Sequence, residues 1–488
     1  MEKQKLHAFW KALLAIALGI ALLTSMAAIS PAWASLSLNE EREIGRQIYQ
    51  RLEKEGKLIK NEKVTSYIDE LGKLIVAQTE ERERFFEFDF SVLKSPSINA
   101  FATPGGFIYV NLGLLTAVDN EAELAGVIAH EIAHVMHRHI ASLLQKKSRL
   151  SIATIVASLA GLLIAGDISG IAVATGLASA TSQTLNLKYS REHEEEADRT
   201  ALRYLVAAGY DPSTMPSFLK RNNKFATYSS TLPSYMLSHP ETIARMAYLE
   251  NAILTQYKDS QGKDDILGRL PKIQSLLLMS TGISEPSNNL RYFQERLSKY
   301  PANPYFKMGI ADAYFRMGQN DKAQSYYESA FREAPDDSDI LREFGIFKYR
   351  IGKNEEAIFY LQASLNAQND ALTKMHLGQA LLQKKEFTGI LNLYANFDEE
   401  AVEYPEIFNQ LALAQEHIGA LGVSHYYLGA YFEHTGKPEA ALLHYERASS
   451  LLSAGDKRLG KISEKMAKLT QEIRQNRRQK PSQQRLTI

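Results

Sequence analysis

The chain has no cysteine among its 488 residues, which excludes disulfide bridges, a thiol nucleophile and lipid anchoring through a cysteine. Its stability must come from a packed core, and the length suffices for two domains. It also lacks an excess of either charge, with 56 basic and 56 acidic residues, which argues against nucleic acid as a partner. Long apolar runs are scarce. One, Ala12 to Ile29, follows Lys3, Lys5 and Lys11 and precedes Ala32-Trp33-Ala34. A basic start, an apolar run and an A-x-A site describe a Sec signal peptide over 1–34, and hence export to the periplasm. The run is also near the minimum length for a spanning helix, so an uncleaved anchor is the alternative. A second apolar stretch, Leu150 to Ala165, carries no charge; Gly166-Asp167 interrupts it, and Ile168 to Ala180 is again small and apolar. Each half is too short to span a bilayer. The expectation is a helical hairpin insert over 150–180 that either packs within the protein or dips into a membrane surface.

Against this background stands His130-Glu131-Ile132-Ala133-His134. Two imidazoles at i and i+4 share one face of a helix and can reach one metal ion, with a carboxylate beside the first as base toward water. Glu121 to Leu144 has apolar residues at helical spacing and no proline, so the motif is expected on one helix within the protein. His137 lies seven residues from His130, about 10 Å along the axis, too far to share an ion, and His139 is about half a turn off the face. Both read as structural or solvent-facing. A third ligand is sought in Ser190 to Arg199, where Glu194 and Asp198 stand four apart on a helix. Glu194 can ligate while Asp198 accepts a hydrogen bond from a ligating imidazole. Glu195 and Glu196 point elsewhere.

Several motifs recur together: His130 to Val135 with Arg138-His139, the Glu194 to Asp198 helix, Asn99-Ala100-Phe101-Ala102 before Gly105-Gly106, and Ser238-His239-Pro240 with Arg245. In this order they resemble the integral-membrane and periplasmic zinc metallopeptidases that include the heat-shock protease HtpX and the CAAX prenyl protease. The likeness is greatest to the periplasmic branch that carries C-terminal helical repeats. The resemblance implies one zinc ion held by His130, His134 and Glu194, with Glu131 as base. It further implies that His239 occupies a fourth zinc position from a mobile loop and latches the enzyme. The residues themselves leave His239 an ordinary loop histidine as well. Arg245 stabilises an oxyanion, binds substrate, or forms a surface ion pair. Ile98 to Leu115 reads as two short strands around a Pro104-Gly105-Gly106 turn. Asn99, Ala100, Phe101 and Ala102 are the candidate edge on which an extended substrate adds as a strand; the other reading is a purely structural hairpin.

Beyond Pro271 the composition changes. Ala313, Tyr314, Gly318, Ala323, Tyr327 and Ala330 are followed by Gly345, Gly352, Ala357 and Leu361, and Gly318 to Gly352 is the 34-residue tetratricopeptide period. A third unit surrounds Gly378, Leu381 and Tyr394, and a last one Gly429, Ala441, Tyr445 and Ala448. Gly419 to Gly436 is half a period, so one repeat is truncated or spliced. About four helix pairs are expected to stack into a solenoid, a form that binds polypeptides more often than it catalyses.

The expected chain is therefore mostly α. It has a signal peptide at 1–34, a zincin-type metallopeptidase domain with a small β-sheet at 35–270, connecting helices at 271–300, a tetratricopeptide solenoid at 301–455, and a basic helical or disordered tail at 456–488. The resemblance implies a periplasmic endopeptidase in outer-membrane protein assembly and quality control. Its substrates would be unfolded or misassembled outer-membrane proteins, its repeats would dock these or the assembly machinery, and a membrane surface could lie nearby. The alternative is an envelope chaperone or assembly factor whose protease site is mostly latched shut.

Overall fold

The computed structural model describes residues 36–79, 86–145, 151–165, 189–228, 235, 238–239, 242–282, 284–397 and 404–479. The signal peptide, residues 168–180 of the insert and the end of the basic tail lie outside the described residues. The chain separates into two compact units, divided between Leu277 and Leu278.

The first unit begins with α1 (Leu38–Lys54), started by a capping box in which Ser37 and Glu40 satisfy each other's backbone N–H groups. Then come α2 (Glu62–Val76) and three strands, β1 (Asp89–Leu93), β2 (Ala100–Thr103) and β3 (Phe107–Asn111). The sheet order is β1-β3-β2, with β1 parallel and β2 antiparallel to β3. The hairpin turn uses Gly105 at φ 81° and Gly106 at φ 91°, values that side chains disfavour. The strand β1, which the sequence reading did not include, makes β3 central and leaves β2 on an edge.

Next are α3 (Leu112–Ala117), α4 (Glu121–Met136), α5 (His139–Gln145), α6 (Ile152–Ala165), α7 (Arg191–Ala207), α8 (Thr214–Tyr228) and α9 (Thr242–Gln256). Helix α4 is buried from Glu121 to Val135, as a central helix must be if its residues are apolar on every side. It packs against α7, α2, α8 and β2. Its N-terminus is capped by Asn120, whose Oδ1 accepts from Glu123 N at 3.0 Å. Glu121 is buried and accepts from the Tyr67 and Tyr210 hydroxyls at 3.0 and 2.7 Å and from the Ile266 and Leu267 amides. In the first half of the apolar insert, α6, Ile155, Val156, Leu159 and Leu163 pack with Ile44, Ile48 and Leu52 of α1. Among the described residues no helix is long and apolar enough to cross a membrane.

The single helix expected from Glu121 to Leu144 is interrupted. Helix α4 ends at Met136, Arg138 takes φ 53°, and α5 starts at His139. A left-handed arginine is unfavourable on its own; here its guanidinium is anchored by hydrogen bonds to Glu41 Oε1 and the Leu36 carbonyl. No proline or glycine marked the break.

Helix α10 (Leu270–Thr281) contains the division between the units. The second unit is helical: α11 (Pro286–Lys299), α12 (Pro304–Arg316), α13 (Asn320–Glu333), α14 (Ser338–Arg350), α15 (Asn354–Ala367), α16 (Ala371–Gln383), α17 (Phe387–Leu393), α18 (Glu406–His417), α19 (Leu421–His434), α20 (Pro438–Leu451) and α21 (Arg458–Gln479). The turns after α12, α14, α16 and α18 carry Gly318, Gly352, Lys385 and Gly419, all at positive φ, at close to one 34-residue period. Ala323, Tyr327 and Ala330 of α13 and Ala441, Tyr445 and Ala448 of α20 are buried at the same spacing, the inward stripe of a stacked helix. The half-period step has a structural form: α19 alone fills the interval between Gly419 and Gly436, and the preceding α17 has only 7 residues.

Candidate metal centre

Helix α4 presents His130 and His134 one turn apart, and α7 crosses it with Glu194 and Asp198 also one turn apart. Helix α7 is started by Ser190, whose Oγ accepts from His193 N at 3.3 Å. Glu194 therefore sits in the first turn, where the helix dipole favours a carboxylate. His239 comes from the segment before α9. One donor atom from each of His130, His134, Glu194 and His239 lies within 4.8 Å of the others, and all four residues are buried.

The distances define the centre. His130 Nε2 lies 3.0 Å from His134 Nε2 and 3.2 Å from His239 Nδ1. Glu194 Oε1 lies 3.0 Å from His239 Nδ1 and 3.6 Å from His134 Nε2. A tetrahedral zinc ion with bonds of about 2.0–2.1 Å requires donors about 3.3 Å apart, so this set fits such an ion. Glu131 has no hydrogen bond of good geometry among the described residues although it is fully buried. Its Oε1 lies 3.3 Å from His239 Nε2. An unsatisfied buried carboxylate is costly, and here it faces the donor cluster.

A layer of partners orients these groups. His130 Nδ1 lies 2.8 Å from Asp198 Oδ1, which points Nε2 at the centre. Asp198 also receives two hydrogen bonds from Arg245, at 2.7 and 2.8 Å, and one from the Tyr248 hydroxyl. Arg245 Nη1 lies 2.6 Å from Glu194 Oε2. Arg245 is thus buried and engaged with two carboxylates. The surface ion pair considered from sequence is not what forms, and its donors point at protein carboxylates.

His139 also differs from expectation. The break at Arg138 swings His139 back, so that its Nδ1 lies 2.9 Å from His134 Nδ1 and its Nε2 lies 3.1 Å from Glu196 Oε2. His137 Nδ1 lies 3.2 Å from the other oxygen of Glu196. The half-turn argument assumed an unbroken helix and so misplaced His139. Tyr189, which the sequence reading did not single out, stacks on His134 with ring centroids 3.8 Å apart.

The electrostatics follow from burial and neighbours. Burial opposes the charge on Asp198, but Arg245 and His130 hold its carboxyl down at about 2. Burial likewise opposes ionisation of Glu194, and His239 and Arg245 overcome it, so its carboxyl lies well below the usual range. Burial and then the His130 charge keep His134 well below the ordinary histidine value, as a neutral ligand requires. His139 is lowered by burial to about 4 against the pull of Glu196, so it is neutral and can accept from His134 Nδ1–H.

On the edge strand, Ala100 and Ala102 are buried and Phe101 is partly buried. Asn99 precedes the strand, and its carbonyl accepts from Asn111 N at 3.0 Å. Asn99 Oδ1 accepts from Ser238 Oγ at 3.5 Å, so the segment that delivers His239 lies beside the start of β2.

Residues 59–253 match the family model for peptidase family M48, and residues 304–370 match that for YpiA-like, C-terminal tetratricopeptide repeats. The chain is 28% identical over 376 residues to the beta-barrel assembly-enhancing protease of Escherichia coli (strain K12), covering 74% of each chain. It is 30% identical over 314 residues to the putative beta-barrel assembly-enhancing protease of Vibrio cholerae, covering 62% of this chain and 63% of that one. To the mitochondrial metalloendopeptidase OMA1 of Arabidopsis thaliana it is 29% identical over 185 residues, covering 37% and 36%.

Proposed function

Because this chain carries a peptidase family M48 domain and C-terminal tetratricopeptide repeats, we propose that it is a zinc-dependent endopeptidase of the bacterial periplasm. It acts in outer-membrane protein assembly and quality control, cleaving unfolded or misassembled outer-membrane proteins. The observation that carries this reading is the convergence of His130, His134 and Glu194 beside the buried carboxylate of Glu131, whose one close charged neighbour among the described residues is His239. The substrate class is supported by the name of the relatives, the compartment by the N-terminal signal pattern, and the docking role by the repeats.

His130, His134 and Glu194 would hold the zinc, which supplies a Lewis acid that polarises the scissile carbonyl and makes water acidic. Glu131 takes the proton from the attacking water at its carboxylate and passes it to the leaving amine. Asp198 keeps His130 in the tautomer that aims Nε2 inward, and Arg245 holds Asp198 and Glu194 charged and in place. The edge strand β2 at Asn99 to Ala102 positions the substrate backbone by strand addition. His239 lies at the fourth donor position and contacts Glu131, which supports its role as the latch whose release admits water and substrate. The same contact favours a second reading, an assembly factor whose protease is mostly shut.

The test is cleavage of an unfolded outer-membrane protein by wild type, Glu131→Gln and His239→Ala, with zinc content measured on each. The peptidase reading expects zinc in all three, loss of cleavage in Glu131→Gln, and a gain in His239→Ala. An assembly factor would keep its in vivo function in Glu131→Gln.

A further inference from the structure

Tyr235 is buried beside the metal centre, in a wall that the catalytic scheme does not use. Its ring stacks on His239, with centroids 4.7 Å apart and planes at 27°, and meets Phe218 edge-on at 5.6 Å. Glu123, Gly126, Val127, Met215, Phe218, Leu219 and Tyr235 line one small cavity. Gly126 and Val127 lie one helical turn before His130 and Glu131, about 6 Å along the axis, so this pocket lies one turn from the reacting groups. With Tyr235 in place the remaining void is about 10 Å³, room for at most one water. The ring is therefore what fills the pocket.

The backbone of the same residue makes a contact of the kind a substrate would make. Tyr235 N donates to the Ile98 carbonyl at 3.1 Å, just before Asn99 and the edge strand β2. The chain continues through Ser238, whose Oγ donates to Asn99 Oδ1 at 3.5 Å, to His239 at the donor cluster. One segment thus takes a main-chain bond beside the edge, places a side chain in a pocket and reaches the metal site.

We propose that this pocket is a side-chain subsite for an aromatic residue of the substrate, and that Tyr235 occupies it as a built-in stand-in for that residue. The proposal rests on the peptidase reading and adds the preference that reading lacks. The walls are apolar and aromatic, which suits a ring. The one carboxylate, Glu123, is already bonded to both Nη atoms of Arg221 and to Asp119 N, so it offers no free charge to select a basic side chain. Gly126 adds no side chain to the wall, and even a Cβ there would make only ordinary contact, 3.7 Å from Met215. Substrate ring and Tyr235 exclude one another, so an aromatic substrate also competes with the segment that carries His239.

Two measurements on the full chain test this. In a Glu131→Gln, Tyr235→Ala background, binding of capped Ala-Ala-Tyr-Ala-Ala and capped penta-alanine is compared by calorimetry. The tyrosine peptide should bind at least about tenfold more tightly, the worth of one well-packed ring. Filling the pocket with Met215→Trp, or separately with Leu219→Trp, should abolish that difference. Equal binding of the two peptides, or a preference that survives both fillings, overturns the proposal. In a His239→Ala background, cleavage sites on an unfolded polypeptide, mapped by mass spectrometry, should carry Tyr or Phe at one fixed position from the cut bond. Met215→Trp should shift that position to small residues; cleavage with no positional preference overturns the subsite. If tyrosine binding is selective but no variant cleaves, the subsite stands and the peptidase reading fails.

Discussion

At the scale of single residues, the centre is a set of buried charges that neutralise one another. Arg245 is the counter-charge for both Asp198 and Glu194. Removing one partner of a buried charge network costs about 3–5 kcal/mol, because the other charges stay buried. Arg245→Met should therefore lower the stability of the metal-stripped protein by that order, read as a drop in urea midpoint; an unchanged midpoint would show that Arg245 does not hold these carboxylates. Under the proposed ligand set, His139 would act on the metal through His134. His139→Phe keeps the bulk but removes the acceptor for His134 Nδ1–H, and such changes typically weaken metal binding about 10–100-fold. Competition with a chelator measures this, and wild-type zinc affinity in the variant would reduce His139 to packing. Titration matters in the repeats too. Burial pushes the Asp312 carboxyl from 3.8 up to about 6, with Arg316 pulling it down and Glu343 pushing it further up. Its folded-state value is raised, so the folded state holds a proton that the unfolded chain has lost. The stability this gives is present below pH 3.8 and is lost as pH rises through about 6. Urea midpoints at pH 5 and pH 7 should differ less in Asp312→Asn than in wild type; equal differences would contradict the assignment.

At the scale of elements, much of the centre was legible because its spacing is local. His130, Glu131 and His134 share a helix, Glu194 and Asp198 share another, and i to i+4 geometry fixes each set without tertiary information. What the sequence did not reveal depends on long-range contacts. The break at Arg138 is held by Glu41, 97 residues away, and it alone makes His139 a partner of His134. Burial of Arg245 likewise depends on the packing of α9 against α7. The strand β1 went unread because its parallel partner β3 follows only after the hairpin strand β2. In the repeats the 34-residue period was visible, and its half step became α19. Close helix approach there depends on small residues. A Cβ on Gly345 would stand 2.7 Å from Leu361 Cγ, so Gly345→Ala should cost about 1–3 kcal/mol through overpacking. Loss of hydrogen-exchange protection in α14 and α15 is the expected signature, and wild-type protection would contradict the close approach.

At the scale of the whole molecule, the chain joins two compact units of different character. The first has a buried central helix that fixes the metal donors, with a small sheet that leaves β2 at an edge. The second is a run of helix pairs that matches tetratricopeptide repeats over residues 304–370. Under the proposed latch, cleavage would depend on what dislodges His239. The most direct test is the rate at which the purified protein cleaves an unfolded outer-membrane β-barrel protein, compared among wild type, His239→Ala and the double variant Glu131→Gln, His239→Ala. The account predicts faster cleavage in His239→Ala than in wild type and none in the double variant. Undiminished cleavage in the double variant would contradict the role of Glu131 and, with it, the assignment of this centre as the peptidase site.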